Sequence, residues 1–476
     1  MFSAHTLTID NVRDQIVGIE AQVPLLDGSH RQYVYLDNSA STPVLRPVFD
    51  TVNAFMIWYS SVHRGTGFKS QIATRAYDDA HRVVLDFVGG DPAVHTVIFG
   101  KNSTEALNKL ARRLPWHVGD VVLTTLMEHH SNDLPWRMMA HTEHVAVDDT
   151  GRLDEAHLDH LLQRYAGRVR LLAVTGASNV TGYVNPVRRL AERAHAAGAE
   201  ILVDAAQLAP HRAVDMGTPD DPGHIDYLVI SAHKMYAPYG TGALVGPRAT
   251  FLQGTPDLVG GGTVDIVTLD QVQWAGLPDR EEAGSPNVVG AVALARAVLC
   301  LQEIGMEAVS EHEARLTAYL LRRMAVLDRV HIYGSADPDA TAERVGVVSF
   351  NVEGMNHFLV AAILSAEAGI GVRSGCFCAH PYMLHLLGID PAAAEAHSQE
   401  IARGDRSHLP GMVRASLGCY SNEADADCLI SVLGKITRGE YAGHYVQDPE
   451  HGTYWPVDFA PDPSAYFSMR ANGGLG

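Results

Sequence analysis

Lys234 stands in Ser231-Ala232-His233-Lys234, directly after the apolar run DYLVIS. Partial desolvation at such a strand end lowers a lysine's pKa and frees its amine for covalent chemistry. A surface lysine snorkelling along an apolar face is the ordinary alternative. Asp204 closes a second buried run, ILVDAAQ. A carboxylate there is costly unless a cation pairs with it, although helix capping would also account for it. Gln207, one turn on, offers an amide to a phenolic oxygen. Ser103 and Thr104 open a helix after Gly100-Lys101-Asn102. Hydroxyl residues there present N–H groups and the helix dipole to a phosphate, or simply cap the helix. His129, in MEHHSN, is a flat ring that can stack on another, or a plain loop histidine. An amine, an anion for a pyridinium, a phosphate cradle and a stacking ring are what pyridoxal phosphate requires.

These residues are placed by a recognisable series of elements. HTVIFG, DVVLTTL, VRLLAVTGAS, EILVDAAQ and DYLVISAHK read as buried strands, and STEALNKLARRL and NPVRRLAERAHAAG as helices between them. Continuous apolar strands separated by helices predict an α/β fold with a mostly parallel sheet covered on both faces. Ligands bind beyond the carboxyl ends of such strands. Glu128-His129-His130, Ser178-Asn179, Asp204 and His233-Lys234 occupy successive ends of this kind. A long helical region follows over about 288–327, then the strand-like VGVVSFNV and the helix NHFLVAAILSAEAG. This predicts a smaller α+β C-terminal domain. The expected division is an N-terminal segment 1–34 contributing to the small domain, a large cofactor-binding domain 35–290, a small domain 291–440 with an insertion at 388–412, and a tail 441–476. The aromatic, Pro-rich tail is expected to wrap over the body or a partner subunit.

Composition excludes several function classes. A chain of 476 residues, 46% hydrophobic and 19% charged, suits two packed globular domains. No apolar run approaches the ~20 residues of a membrane-spanning helix. The first residues lack a basic leader and an apolar signal core, so a cytoplasmic enzyme is expected. Thirty-six basic against 55 acidic residues give a net charge of −19, which argues against nucleic acid or an anionic membrane as partner. Five cysteines form no disulfide framework. Cys376, Cys378 and His380 do not complete a tetrahedral site, so no metal is expected.

YLDNSASTP, SSVHRGTG, NSTEALN, MEHHSNDLPW, ASNVTGY, VDAAQ, SAHKMYAPYGTG, EAGSPN, RSGCFCAHP and VRASLGCY follow one another along the chain. Together, from about Tyr35 to Leu433, they resemble the class V aminotransferase family of fold-type I pyridoxal-phosphate enzymes. The chain is most similar to the SUF-type cysteine desulfurase and selenocysteine lyase group. The resemblance implies a large domain with a mostly parallel seven-stranded sheet. It makes Lys234 the Schiff-base lysine, Asp204 the pyridinium partner and His129 the stacking ring. Phosphate contacts would come from Thr104, Ser231 and His233, and from Ser285 of a neighbouring subunit in a homodimer with shared sites. Asn179 and Arg414 would hold the substrate carboxylate, with Arg373 beside the thiol.

Cys378 matches the loop cysteine that takes sulfur from L-cysteine, leaving alanine and an enzyme persulfide for a protein sulfur acceptor. An attacking thiol must be a reachable thiolate near a base or cation, and Arg373 and His380 are the local positive candidates. A small buried hydrophobe is the plainer account of Cys378. Three features depart from the family pattern: Cys376 where relatives usually carry histidine, the long stretch between Cys378 and Arg414, and the tail. They leave open a C–S or C–Se lyase, an epimerase or another class V enzyme on a specialised amino acid. A sulfur carrier without catalysis is a further reading, opposed by the intact Lys234, Asp204, His129 and Arg414.

Overall fold

The computed structural model describes residues 6–63 and 65–469. Its centre is a sheet of seven strands: β1 (His95–Gly100), β2 (Val121–Thr125), β3 (His141–Val145), β4 (Val169–Thr175), β5 (Glu200–Asp204), β6 (Tyr227–Ser231) and β7 (Gly242–Pro247). The spatial order is β1-β7-β6-β5-β4-β2-β3, with β7 antiparallel to both neighbours and the other pairs parallel. Side chains alternate between the faces. Leu228 and Ile230 of β6 join a cluster that includes Val84, Leu190 and Leu294, while Tyr227 and Val229 join Leu107, Leu110 and Trp136 on the other side. The sheet therefore needs apolar residues at every position, which is why its strands appear as unbroken runs. Helices α1 (Arg46–Met56), α2 (Phe68–Phe87), α4 (Val187–Ala196) and α5 (Val288–Ile304) cover the first face, and α3 (Ser103–Arg113) lies on the second.

Helix α3 starts where the site needs it. The Asn102 side chain accepts from Glu105 N at 2.9 Å, and Arg112 and Arg113 complement the dipole at the far end. Strand β7 passes so close that a Cβ at Gly242 would meet Asn102 Cα at 2.7 Å and Ser103 N at 2.8 Å. Only glycine allows that approach.

A second, four-stranded antiparallel sheet has the order β8 (Val330–Tyr333), β9 (Val347–Val352), β11 (Met412–Ser416), β10 (Arg373–Gly375). Val348, Phe350, Val413 and Ala415 pack against α7 (His357–Ala368) and α9 (Glu423–Thr437). The intervening Ser349 and Arg414, paired across β9 and β11, face the large sheet instead. Ser349 Oγ donates to the Val180 carbonyl at 2.6 Å.

The helical 288–327 region consists of two helices. α5 ends at Ile304 and α6 (Met306–Met324) leaves at 74°, because Gly305 takes φ 89°, a conformation that other residues avoid. The 388–412 segment contains a helix, α8 (Pro391–Ala402), capped by Asp390. The tail forms a hairpin of Tyr445–Gln447 and Tyr454–Pro456. No single described helix is long and apolar enough to cross a membrane.

Candidate active site

A cavity of about 560 Å³ opens beyond the carboxyl ends of β4, β5 and β6. Asp204, the last residue of β5, is buried, and its Oδ1 accepts from Ala206 N at 3.0 Å. Burial raises its pKa, opposed by that bond and by Lys234. Lys234 lies in a single helical turn, Ala232–Lys234, after β6. Burial pushes its amine down to about 8 against the opposing pull of Asp204. The turn is held from the chain's early loop: the His233 carbonyl accepts from Thr42 N at 2.8 Å and Ser41 Oγ at 3.1 Å. The His233 ring is neutral, pushed to about 4 by burial and then by Lys234.

Lys234 Nζ donates to Gln207 Oε1 at 3.4 Å. Gln207 Nε2 donates to Ser39 Oγ at 3.1 Å and to His211 Nε2 at 3.1 Å. His211 Nδ1 in turn bonds the Glu313 carboxylate of α6. Because Glu313 only accepts, His211 carries its proton on Nδ1 and receives the Gln207 amide at Nε2. That fixes the amide, with its oxygen toward Lys234.

His129 caps a short turn, His130–Asn132, and its Nδ1 accepts from Ser131 N at 3.1 Å. The ring is thus neutral with its proton on Nε2. Burial, then Lys234, brings its pKa to about 3. Ser131 Oγ lies 2.7 Å from Thr104 Oγ1, joining this turn to the start of α3. Beneath it, buried Glu128 accepts from Thr125 Oγ1 at 2.6 Å, Asn132 Nδ2 at 2.7 Å and Thr175 N at 2.8 Å. Burial still raises Glu128 to about 8, past what these bonds restore.

Arg414 is 2% exposed and forms the opposite wall. Its Nη2 lies 3.1 Å from Asp37 Oδ1, its Nη1 donates to the Asn179 carbonyl at 3.0 Å, and its Nε has no protein partner. Burial lowers it to about 10, so it remains a cation at neutral pH. The other Asp37 oxygen holds exposed Arg373 at 3.2 Å. One carboxylate thereby aligns both arginines.

The cysteine loop is a tight turn closed by Ala379 N donating to the Cys376 carbonyl at 3.0 Å. Its central residues, Phe377 and Cys378, have φ of 54° and 56°. Non-glycine residues pay of order 1 kcal/mol each for such a backbone, and it persists only where neighbours impose it. Here Asn179 Nδ2 donates to the Phe377 carbonyl at 2.8 Å, and His130 N to the Cys378 carbonyl at 2.7 Å. Cys378 is exposed at the cavity mouth, while Cys376 is partly buried beside it. His380 is not the positive neighbour that its position in the sequence suggests. Its N–H and Nδ1 meet His130 Nε2 at 3.2 and 3.1 Å, the rings stack at 5.0 Å, and burial lowers both pKa values. Arg373 is left as the nearby exposed cation.

The cavity brings together Ser103, Thr104, His129, Asn179, Asp204, Gln207, His233, Lys234, Arg373, Cys378 and Arg414. Ser231 lies beneath it, its buried hydroxyl without a partner, and Ser285 is exposed outside it. Leu409 and Pro410 of the 388–412 segment form, with Phe358, an apolar wall of the cavity. Asp37, Ser131 and the His211–Glu313 pair are absent from the sequence reading. Asp37 and Ser131 stand within the motifs YLDNSASTP and MEHHSN, whereas nothing local marks His211 or Glu313.

The chain is similar to known proteins over most of its length. A cysteine desulfurase of Haloferax volcanii is 38% identical over 411 residues, 84% of this chain and 88% of that protein. One from Dickeya dadantii is 34% identical over 432 residues, covering 88% and 96%. The apo structure of a cysteine desulfurase from Thermococcus onnurineus NA1 superposes with a TM-score of 0.77 at 31% identity, covering 90% of this chain and 98% of that one. Residues 34–429, which supply the lysine, the buried aspartate, the cysteine turn and the buried arginine, match a single family model, so the chain belongs to the aminotransferase class-V family.

Proposed function

We propose that this protein is a pyridoxal-phosphate enzyme that takes sulfur from L-cysteine, releasing L-alanine and leaving a persulfide on Cys378. The observation that carries this reading is the exposed Cys378, held on a strained turn at the mouth of the cavity whose floor holds Lys234 and Asp204. The residues fit the cofactor. A buried carboxylate and a lysine of lowered pKa share one cavity, and the buried Ser231 hydroxyl is free to meet a phosphate. Lys234 would hold it, Asp204 would face its ring nitrogen, His129 would stack, and Thr104, Ser231 and His233 would meet the phosphate. When bound, the cofactor supplies an electron sink for negative charge beside the substrate carboxylate.

The chain's own groups account for the remainder. Arg414, with its unpartnered Nε, and Asn179 orient the substrate carboxylate. The Lys234 amine, with a pKa near neutrality, moves the α-proton. The Cys378 thiolate then attacks the substrate sulfur: an S–S bond forms and the C–S bond breaks. The C–S electron pair stays with carbon, which takes a proton, so cysteine and thiol become alanine and persulfide with no external oxidant. Leu409, Pro410 and Phe358 keep the side-chain end of the site apolar.

A protein thiol is the acceptor this persulfide would serve. A homodimer is supported by Ser285, exposed and outside its own cavity, as a second copy could bring it to a phosphate. Five unpaired cysteines suit a reducing cytoplasm. Alanine release from L-cysteine in the presence of a reducing thiol tests the reading. It should occur in wild type and vanish in Lys234→Ala; release that survives the substitution would refute it.

A further inference from the structure

At the opposite end of β6 from Lys234, two imidazoles and a carboxylate converge. His195 belongs to the last turn of α4, and His224 and Asp226 lie in the segment entering β6. His195 Nε2 is 2.9 Å from Asp226 Oδ2, and His224 Nε2 is 3.3 Å from Asp226 Oδ1. The two rings stack at 4.2 Å and 21°. Each ring's other nitrogen faces a main-chain carbonyl: His195 Nδ1 meets Pro222 O at 2.6 Å, and His224 Nδ1 meets Asp221 O at 2.7 Å.

A carbonyl oxygen only accepts, so both Nδ1 atoms carry protons. Asp226 also accepts, taking Ile201 N at 2.8 Å as well. His195 Nε2 is hydrogen-bonded to Asp226 and His224 Nε2 lies beside its other oxygen, so a divalent cation placed between them would take both Nε2 lone pairs and a carboxylate oxygen. Nδ1–H donated to a carbonyl is the outer arrangement that orients metal-binding histidines. Ligand atoms ~2.0–2.1 Å from a tetrahedral zinc lie about 3.3 Å apart. The His224 contact has that spacing, the His195 contact is shorter at 2.9 Å, and all three ligand atoms lie within 4.8 Å of one another, the one such cluster among the described residues.

We propose that His195, His224 and Asp226 bind one zinc-class divalent cation, which pins the end of α4 to the segment entering β6. Two imidazoles and one carboxylate select a borderline metal rather than calcium or magnesium. The three ligands are partly exposed, which leaves the fourth position to water. The site lies away from the catalytic cavity and does not depend on the proposed reaction.

The test is titration of chelator-stripped holoenzyme with Co²⁺ alone, followed by its visible absorption, in wild type, His224→Gln and Asp226→Asn. Wild type should bind about one equivalent per chain. Each variant should bind more than ~10-fold more weakly, since losing even an outer partner costs that much. Should Asp226→Asn misfold through loss of its Ile201 bond, His224→Gln decides alone. Absence of binding to wild type, or equal affinity in His224→Gln, would overturn the proposal.

Discussion

Asn179 Nδ2 donates to the Phe377 carbonyl at 2.8 Å, tying the cysteine turn directly to the loop beyond β4. The same residue's carbonyl accepts from Arg414. Asn179 therefore fixes the thiol-bearing turn and the carboxylate-binding arginine relative to each other. A backbone of positive φ at Phe377 and Cys378 relaxes if that tether is lost. Asn179→Ala should slow persulfide formation by ~5-fold or more, the equivalent of about 1 kcal/mol for one hydrogen bond. Single-turnover alanine formation measures it.

Lys234 should dominate the pH dependence of cofactor uptake. Burial lowers its pKa from 10.5 to about 8, so the nucleophilic free amine grows as pH rises and saturates above that value. The rate at which cofactor-free protein acquires its visible absorbance with pyridoxal phosphate should rise with a midpoint near pH 8 and level above it. Asp204 raises the Lys234 pKa, so Asp204→Asn should move this midpoint to lower pH.

His211 acts through Gln207 and is a positioning residue. With Glu313 holding Nδ1–H, Nε2 receives the Gln207 amide and turns its oxygen to Lys234. His211→Phe should free the amide to flip, shifting the visible band of the bound cofactor and lowering kcat several-fold. His211→Asn, which retains an acceptor, should restore part of the band position. A purely structural role would lower thermal stability without moving the spectrum.

The tail reaches the site indirectly. Gln447 Nε2 donates to the Ser407 carbonyl at 2.9 Å, and Arg406 N to the Pro449 carbonyl at 2.8 Å. These bonds hold the segment that presents Leu409 and Pro410 to the cavity. Truncation after Gly443 should raise KM for L-cysteine several-fold with a smaller change in kcat, as steady-state kinetics would show.

What the sequence made legible follows from periodicity. Doubly covered strands read as apolar runs, so Asp204, Lys234 and His129 stood out at their ends. Arg414 was found by motif, and the alternation of Val413 and Ala415 around it explains its direction. Partners distant along the chain were not legible. Glu313 lies 102 residues from His211, and Asp37 meets Arg414 across 377. Such pairs exist only once elements distant along the chain pack together. The burial that lowers the His380 pKa was hidden for the same reason, since His130, which its ring stacks on, lies 250 residues away. The break at Gly305 had only a single glycine as its signal.

The central claim is that Cys378 receives the sulfur. One turnover of the holoenzyme with L-cysteine, wild type beside Cys378→Ala, tests it directly by counting alanine and protein-bound persulfide. The account predicts about one of each per wild-type active site and neither from the variant. Alanine formed at the wild-type rate by Cys378→Ala would contradict it.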